Sequence, residues 1–379
     1  MRGRRIGVVA LLIAGTILWT VGGLAVWVKR QAIDTDNWVN TSSELLESEP
    51  VRTALSVYIV NQLFASADVQ DRLEEVLPPQ LQPLAGPASA ALKQVALREA
   101  PRVLGSAVAV DAWRKANEVA HGELIQIVEG KLEDSSLSLN LGQLVDQVAQ
   151  SAGLPEGVAD RLPPQVSNLT VAKPDELETI QNVFDLFETL VWVFVLLAVA
   201  SFAGALALSQ DRRRTTITVG GCLILSAFLI FAIRRLGERW VLDTLAESPN
   251  AEPAASDAWQ ISTSLLGEVA QGSLLFGLFV VLGAWLAGAG RRATAVRRFS
   301  AHALRENPGY VFAGLGVAIL LLVTWGPVPW TQRIGTMLIF TALAFGWLEW
   351  MRRRVLAEFP DEPAPRLSLR RARASPEGG

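Results

Sequence analysis

The chain has 379 residues, one Cys, 34 Lys and Arg, 37 Asp and Glu, a formal net charge of −3, and 50% hydrophobic residues. The apolar residues are concentrated in six blocks of 17 residues or more, which excludes a simple soluble enzyme. A single Cys also excludes an intramolecular disulfide.

The first block runs from Ile6 to Val28 without a charge and follows a basic head. At about 1.5 Å per residue it exceeds the roughly 30 Å hydrocarbon core of a bilayer. It is also longer than the about 7–15 apolar residues of a cleaved signal peptide, which is the competing interpretation. We therefore expect residues 1–29 to form an uncleaved signal-anchor helix.

Five further apolar blocks follow in the second half of the chain. They are Leu190–Leu208, Thr216–Ile233, Ser273–Ala289, Tyr310–Gly326 and Ile334–Trp350. The last four are near the short limit for a membrane span, and the sequence leaves open whether 216–233 crosses fully. The expected fold is an all-α membrane protein with about six transmembrane helices, five of them in a region over residues 188–350.

The basic residues predict the orientation of these helices. Four segments that would face the cytoplasm (1–5, 209–215, 290–309 and the start of the tail) carry 14 Arg but only two acidic residues. Residues 30–187 carry 11 basic and 23 acidic residues, so this segment is expected outside. The bias predicts a multi-pass plasma-membrane protein with both termini cytoplasmic. The three arginines of the second outer loop, 234–271, conflict with the rule.

Several of the cytoplasmic arginines are expected to contact anionic lipid at the inner leaflet. They lie in the 209–215 segment and in the basic inner loop 290–309, and they are Arg212, Arg213, Arg214, Arg291, Arg292, Arg297 and Arg298. A basic folded face, which nucleic-acid binding requires, is absent from the pattern, so we expect no nucleic-acid partner.

Residues 30–187 are long enough for an extracytoplasmic domain of their own. Helix starts are predicted at Asp34-Thr35-Asp36-Asn37-Trp38-Val39 and at Ser48-Glu49-Pro50, and further helices over about 88–99, 111–129 and 142–151. The alternating segment 137–141 predicts a strand that pairs with 168–171. The domain is thus expected to be mostly helical with a small two-stranded element.

Two segments flank the predicted five-helix region. The apolar stripe after Pro174 runs into the second span, which predicts one continuous helix over 174–208 of roughly 50 Å. The Pro-rich polar tail, 351–379, is expected to be a disordered cytoplasmic segment. Gly314-Leu315-Gly316, inside an apolar block, is interpreted as a site of close helix packing.

The outer domain offers one cluster of residues with a binding interpretation. Trp113, Asn117 and His121 are spaced i, i+4 and i+8, and share one helix face with Asp111 as the expected N-cap. They are either a polar-aromatic recognition stripe or a helical core whose polar groups are internally satisfied. With two His in the chain and no P-loop, G-x-G-x-x-G or G-x-S-x-G motif, we expect no metal, no cofactor and no catalytic residues.

The segment Asp34-Thr35-Asp36-Asn37-Trp38-Val39 resembles a motif in a family of uncharacterised actinobacterial multi-pass membrane proteins with a large extracytoplasmic loop. The likeness continues through Glu49-Pro50-Val51, Trp113 to Asn117 with Ala120-His121, and Leu177 to Gln181. The resemblance implies a bacterial plasma membrane with the outer domain facing the cell wall. It carries no activity to transfer.

These observations predict a non-enzymatic integral membrane protein of the cell envelope whose outer domain binds an envelope protein or a lipid. The expected interaction surface comprises Asp34, Asp36, Trp38, Trp113, Asn117 and His121. The alternative is a transporter or channel-like protein that moves a lipid or small molecule, which would need an open groove between the spans. The ligand, the partner and the oligomeric state do not follow from the sequence.

Overall fold

The computed structural model describes residues 2–66, 69–131, 138–140, 168–170, 174–245, 251–324 and 334–359. In the first half the helices are α1 (Arg2–Ala32), α2 (Thr35–Glu47), α3 (Glu49–Ser66), α4 (Val69–Val76), α5 (Ala85–Leu104) and α6 (Ala107–Val128). In the second half they are α7 (Pro174–Leu208), α8 (Arg212–Leu245), α9 (Glu252–Ser262), α10 (Ser264–Leu286), α11 (Arg291–Glu306), α12 (Pro308–Thr324) and α13 (Ile334–Glu358). The all-α class is confirmed.

Two short strands and one turn complete the described elements. Strand β1 (Ser138–Asn140) pairs antiparallel with β2 (Asn168–Thr170), with Leu139 opposite Leu169. A 3₁₀ turn, Gln82–Leu84, separates α4 from α5 at the Pro-rich segment. The predicted helix over 142–151 and the tail beyond residue 359 lie outside the described residues.

Four helices, α1, α7, α8 and α10, are long and apolar enough to cross a membrane. Their apolar side chains are widely exposed, for example Ile6 at 69%, Leu196 at 65% and Phe228 at 60%. Apolar surface on this scale is unfavourable in water and is typical of helices that face lipid. The four helices agree with four of the six predicted spans, including the block 216–233, which lies inside the 34-residue α8.

The remaining two apolar blocks are not shown to be spans. Helix α12 is a shorter apolar helix of 17 residues, and α13 continues past the predicted block to Glu358. Between α10 and α12, the predicted basic inner loop 290–309 is largely helix α11. Its buried apolar positions, such as Ala301 and Leu304, recur with helical spacing and pack on α13, which explains why this segment is ordered.

The chain divides into two compact units. One comprises Met1–Thr16, Ala200–Ser226 and Gln271–Gly379, and the other comprises Ile17–Val199 and Ala227–Ala270. Because α7 is continuous from Pro174 to Leu208, as predicted, the expected boundary at residue 188 lies within a helix. In the first unit the core is formed by Leu304, Leu348, Met351 and Val355.

Helices α8 and α10 cross closely in the first unit, through two glycines. A Cβ atom at Gly220 would lie 2.8 Å from the carbonyl oxygen of Gly277, and one at Gly277 would lie 2.7 Å from the carbonyl oxygen of Gly220. The two backbones thus touch where each lacks a side chain. Among the described residues, a Cβ at Gly314 meets nothing within 4 Å and one at Gly316 meets only the Phe345 ring at 3.8 Å, so the close packing predicted there is not found within them.

In the second unit, the helices of the predicted outer domain pack in pairs. Helix α2 packs on α6 and α3 on α5, while α9 packs on both α2 and α3. A separate cluster joins Ile230, Leu266 and Ala270 to Trp27 of α1. Helix α6 ends at Val128 and is followed by Gly130 at φ +68°, the left-handed conformation that glycine adopts at helix ends.

Candidate functional site

Helix α2 begins at the motif that carries the family resemblance. The Asp34 carboxylate accepts a hydrogen bond of 2.9 Å from the backbone N–H of Asn37, so Asp34 is the N-cap. Asp36 is exposed in the first turn, where its negative charge interacts favourably with the positive end of the helix dipole. Both acidic residues therefore stabilise the start of α2.

Trp38 of α2 and three residues of α6 meet in one polar joint between the two helices, here called the α2–α6 joint. The Trp38 indole stacks on the His121 ring with centroids 4.9 Å apart, and its N–H donates to Asn117 Oδ1 at 3.2 Å. The Asn117 amide donates to the Trp113 carbonyl at 2.9 Å. The Trp113 indole N–H in turn donates to the Ser42 carbonyl at 3.0 Å.

The geometry favours the core interpretation of the predicted stripe. Trp113, Asn117 and His121 do share a face, but that face is turned towards α2, and each polar side chain has an internal partner. Trp38 is 39% exposed, Trp113 and Asn117 are half-buried, and His121 is buried. The expected N-cap of α6 is wrong: Ser106, five residues before Asp111, accepts from the Ala109 N–H and begins the helix.

His121 is buried, with 5% of its surface exposed. Its Nε2 lies 3.3 Å from the Ala32 carbonyl, which only accepts, and its Nδ1 lies 3.1 Å from the Thr35 hydroxyl. Nε2 therefore carries the proton and Nδ1 accepts from Thr35. Burial lowers the pKa of His121, while the Ala32 bond and the charge of Asp34 oppose this in part. The joint thus holds a neutral imidazole.

The stability of the α2–α6 joint is expected to fall as the pH falls below 6.5, the ordinary pKa of His. The unfolded domain binds a proton first, because the pKa of His121 is lowered in the folded state. The stability is therefore complete above pH 6.5 and is lost as the pH passes down through the folded-state pKa. Hydrogen exchange of α2 and α6, corrected for the intrinsic pH dependence, measures this. His121→Gln should remove the acid response, and an equal response in both proteins would contradict the prediction.

A second group of contacts joins helices that are distant in the sequence within the second unit. Lys29 of α1 forms an ion pair of 2.7 Å with Glu188 of α7. The Ser48 hydroxyl donates to Asp257 of α9 at 2.7 Å. The Trp27 N–H donates to the carbonyl of Ser262 at 3.4 Å. These pairs could not be predicted from the sequence, because partners more than 150 residues apart leave no local signal.

Arg234, whose predicted outer position conflicted with the charge bias, has a structural role. Its guanidinium donates to the Thr263 hydroxyl at 2.9 Å and to the Gln260 carbonyl, while its own carbonyl accepts from Trp259 at 3.1 Å. The Trp259 ring lies directly over Gly237, where a Cβ would be 2.5 Å from the ring. Arg234 therefore joins α8 to the α9–α10 corner.

Six of the seven arginines predicted to contact lipid are exposed. They are Arg212, Arg213, Arg214, Arg291, Arg292 and Arg298. The seventh, Arg297, is 2% exposed, so its prediction as a lipid contact is wrong. Its charge alone does not distinguish Arg297 from the other six arginines, but the helical face on which it lies is turned inward.

Arg297 instead joins three segments of the first unit. It donates to both carboxylate oxygens of Glu358 at 2.9 Å and to the carbonyls of Leu286 and Gly288 at the end of α10. The hydrogen bonds from Arg297 to the carboxylate hold the pKa of Glu358 below its ordinary value. The Arg297 guanidinium thus pairs its buried charge with Glu358 and also caps the C-terminal end of α10.

Comparison with protein-family models, curated proteins and solved structures gave no match. Within the described residues, no three His, Cys, Asp or Glu side chains converge in a geometry that would hold a metal ion. The surfaces and grooves of this chain are therefore the features that bear on its function.

Proposed function

We propose that this protein is a non-enzymatic, multi-pass membrane protein of an actinobacterial cell envelope, whose outer helical domain binds another envelope protein. In the proposed topology both termini are cytoplasmic in the plasma membrane. The four long apolar helices support membrane insertion, and the arginine bias supports the orientation.

The observation that carries the partner proposal is a group of exposed apolar side chains on α5. It comprises Leu92, Val95 and Val103, which are 50%, 53% and 61% exposed and share one helix face, with Glu99 between Val95 and Val103 on that face. We call it the α5 face. Apolar side chains grouped in this way on a water-facing domain are typical of interaction surfaces.

The charge of the domain indicates the class of partner. Residues 30–187 carry 23 acidic against 11 basic side chains, and this excess repels anionic wall polymers and anionic lipid headgroups. A protein with an apolar patch and a basic rim is complementary to the α5 face. The internally paired α2–α6 joint holds the domain together and is not part of the proposed contact.

In-cell photo-crosslinking from Val103 tests this proposal. We expect a photoreactive residue at position 103 to give one discrete protein adduct, which disappears when Leu92→Glu is added because the charge disrupts the apolar contact. Gln94→Glu adds the same charge on the opposite face of α5 and should leave the adduct intact. Adducts with lipid alone, or equal adducts in both variants, would exclude a protein partner at this face.

A transporter or channel-like role, for a lipid or small molecule, is the second candidate. It is favoured by a groove of about 580 Å³ between the first turns of α8, the end of α10 and α13. A mover of lipids needs such an opening between helices. Uptake of a labelled lipid by proteoliposomes that contain the full chain would distinguish transport from simple binding.

A further inference from the structure

From the α8–α10–α13 groove we infer a binding site for one anionic phospholipid. The groove has a charged rim and an apolar wall. The rim carries Arg212 and Arg213 from the start of α8 and Arg354 from α13. The wall includes Phe279, Val280 and Trp347. This inference depends on the proposed membrane placement of α8 and α10.

The rim suits a phosphate group. Among the described residues that line the groove none is acidic, so three positive charges face it without a carboxylate within the lining. The Arg212 side chain is exposed, and within the described part of the chain no acceptor bonds its guanidinium. Arg212 also lies at the N-terminus of α8, where the helix dipole adds positive potential. Arginine in such a position recognises phosphate oxygens in a bidentate manner.

The other two rim arginines are held in place by the walls. The Arg213 guanidinium donates to the Ala284 carbonyl at 3.1 Å. The Arg354 guanidinium lies over the Trp350 ring, 5.4 Å from its centroid. Trp350 is 46% exposed at this edge, where an indole ring suits the headgroup level of a bilayer. Two of the three rim arginines therefore have partners before any ligand binds, which lowers the entropic cost of binding.

The apolar wall identifies the ligand as a lipid and not free phosphate. Trp347 packs edge-on to Phe279, with ring centroids 5.6 Å apart, and fits beside Gly283, where a Cβ would lie 3.0 Å from its indole nitrogen. The wall therefore offers an apolar surface next to the arginines, and in the proposed site an acyl chain covers that surface. Basic pockets between membrane helices on the cytoplasmic side bind anionic headgroups in this way. A zwitterionic headgroup also brings a cation, which the three arginines repel.

Native mass spectrometry of the full chain from nanodiscs of phosphatidylcholine and phosphatidylglycerol tests the site. We expect one phosphatidylglycerol to stay bound to the wild-type protein. Arg212→Gln with Arg354→Gln should lower its retention roughly tenfold or more, because each arginine near the headgroup contributes to binding. Arg291→Gln with Arg292→Gln removes the same charge from expected contacts with the surrounding leaflet, outside the groove lining, and should leave the one tightly bound lipid in place.

A second variant tests the wall. Val280→Phe fills the groove without altering the arginines and should also release the lipid, whereas inorganic phosphate alone should not displace it. Retention of the lipid by both groove variants, or equal retention of phosphatidylcholine, would overturn the inference. Failure of the chain to enter nanodiscs would instead contradict the membrane placement itself. The partner contact at the α5 face is tested by crosslinking, so the result of that experiment is independent of the lipid-binding result.

Discussion

Glu358→Ala is expected to lower the free energy of unfolding by about 3 kcal/mol. Removal of the carboxylate leaves the buried guanidinium of Arg297, which is 2% exposed, without its counterion. We take the lower end of the range for broken buried pairs because the Glu358 side chain is itself 36% exposed. Chemical unfolding in detergent micelles, followed by circular dichroism, measures the change.

The neighbouring pair of α11 is the matched control for this change. Glu306 pairs with His302 one turn away, and its side chain is 57% exposed. Glu306→Ala should therefore cost less than about 1 kcal/mol. Arg297→Met combined with Glu358→Leu should recover much of the loss, because no unpaired charge is left. Equal effects of Glu358→Ala and Glu306→Ala would show that the Arg297 pair adds no stability.

Gly220→Leu is expected to force α8 and α10 apart. A Cβ there would lie 2.7 Å from Val281 Cγ2, 2.8 Å from the Gly277 carbonyl and 3.0 Å from the Val281 nitrogen. Two of these three atoms are backbone, so a change of rotamer cannot relieve the clash. We expect a loss of more than the about 1–3 kcal/mol typical of overpacking, seen as a lower melting temperature of the purified protein.

Gly221 provides the adjacent control, since a Cβ at that position meets no atom of the described residues within 4 Å. Gly221→Leu should leave the melting temperature nearly unchanged and adds only apolar surface that faces lipid. The two variants have the same composition and differ by one helical position. A similar melting temperature for both would mean that the close crossing of α8 and α10 does not contribute to stability.

Local features of the fold could be predicted from the sequence where neighbouring residues decide them. The start of α2 follows from Asp34 and its hydrogen bond to the next turn. The long helix α7 follows from an apolar pattern that runs on from Pro174 without a break. The N-cap of α6 is Ser106 and not the predicted Asp111. Both residue types are good N-caps, and the local pattern alone does not rank them.

Tertiary partners could not be predicted in the same way. The spacing of Trp113, Asn117 and His121 predicts a shared face, but not that α2 covers it. Arg297 and Arg298 are neighbours with the same charge, and the packing of α11 on α13 decides which one is buried. The glycines at the α8–α10 crossing have no sequence feature that separates them from the open Gly314.

The pairing of Arg297 with Glu358 also has a consequence for biosynthesis. The two residues are 61 positions apart, and the carboxylate is made last. The guanidinium is therefore synthesised before its counterion, and a buried charge without a counterion is unfavourable. We expect α11 to pack stably in this unit only once α13 is present to supply the carboxylate.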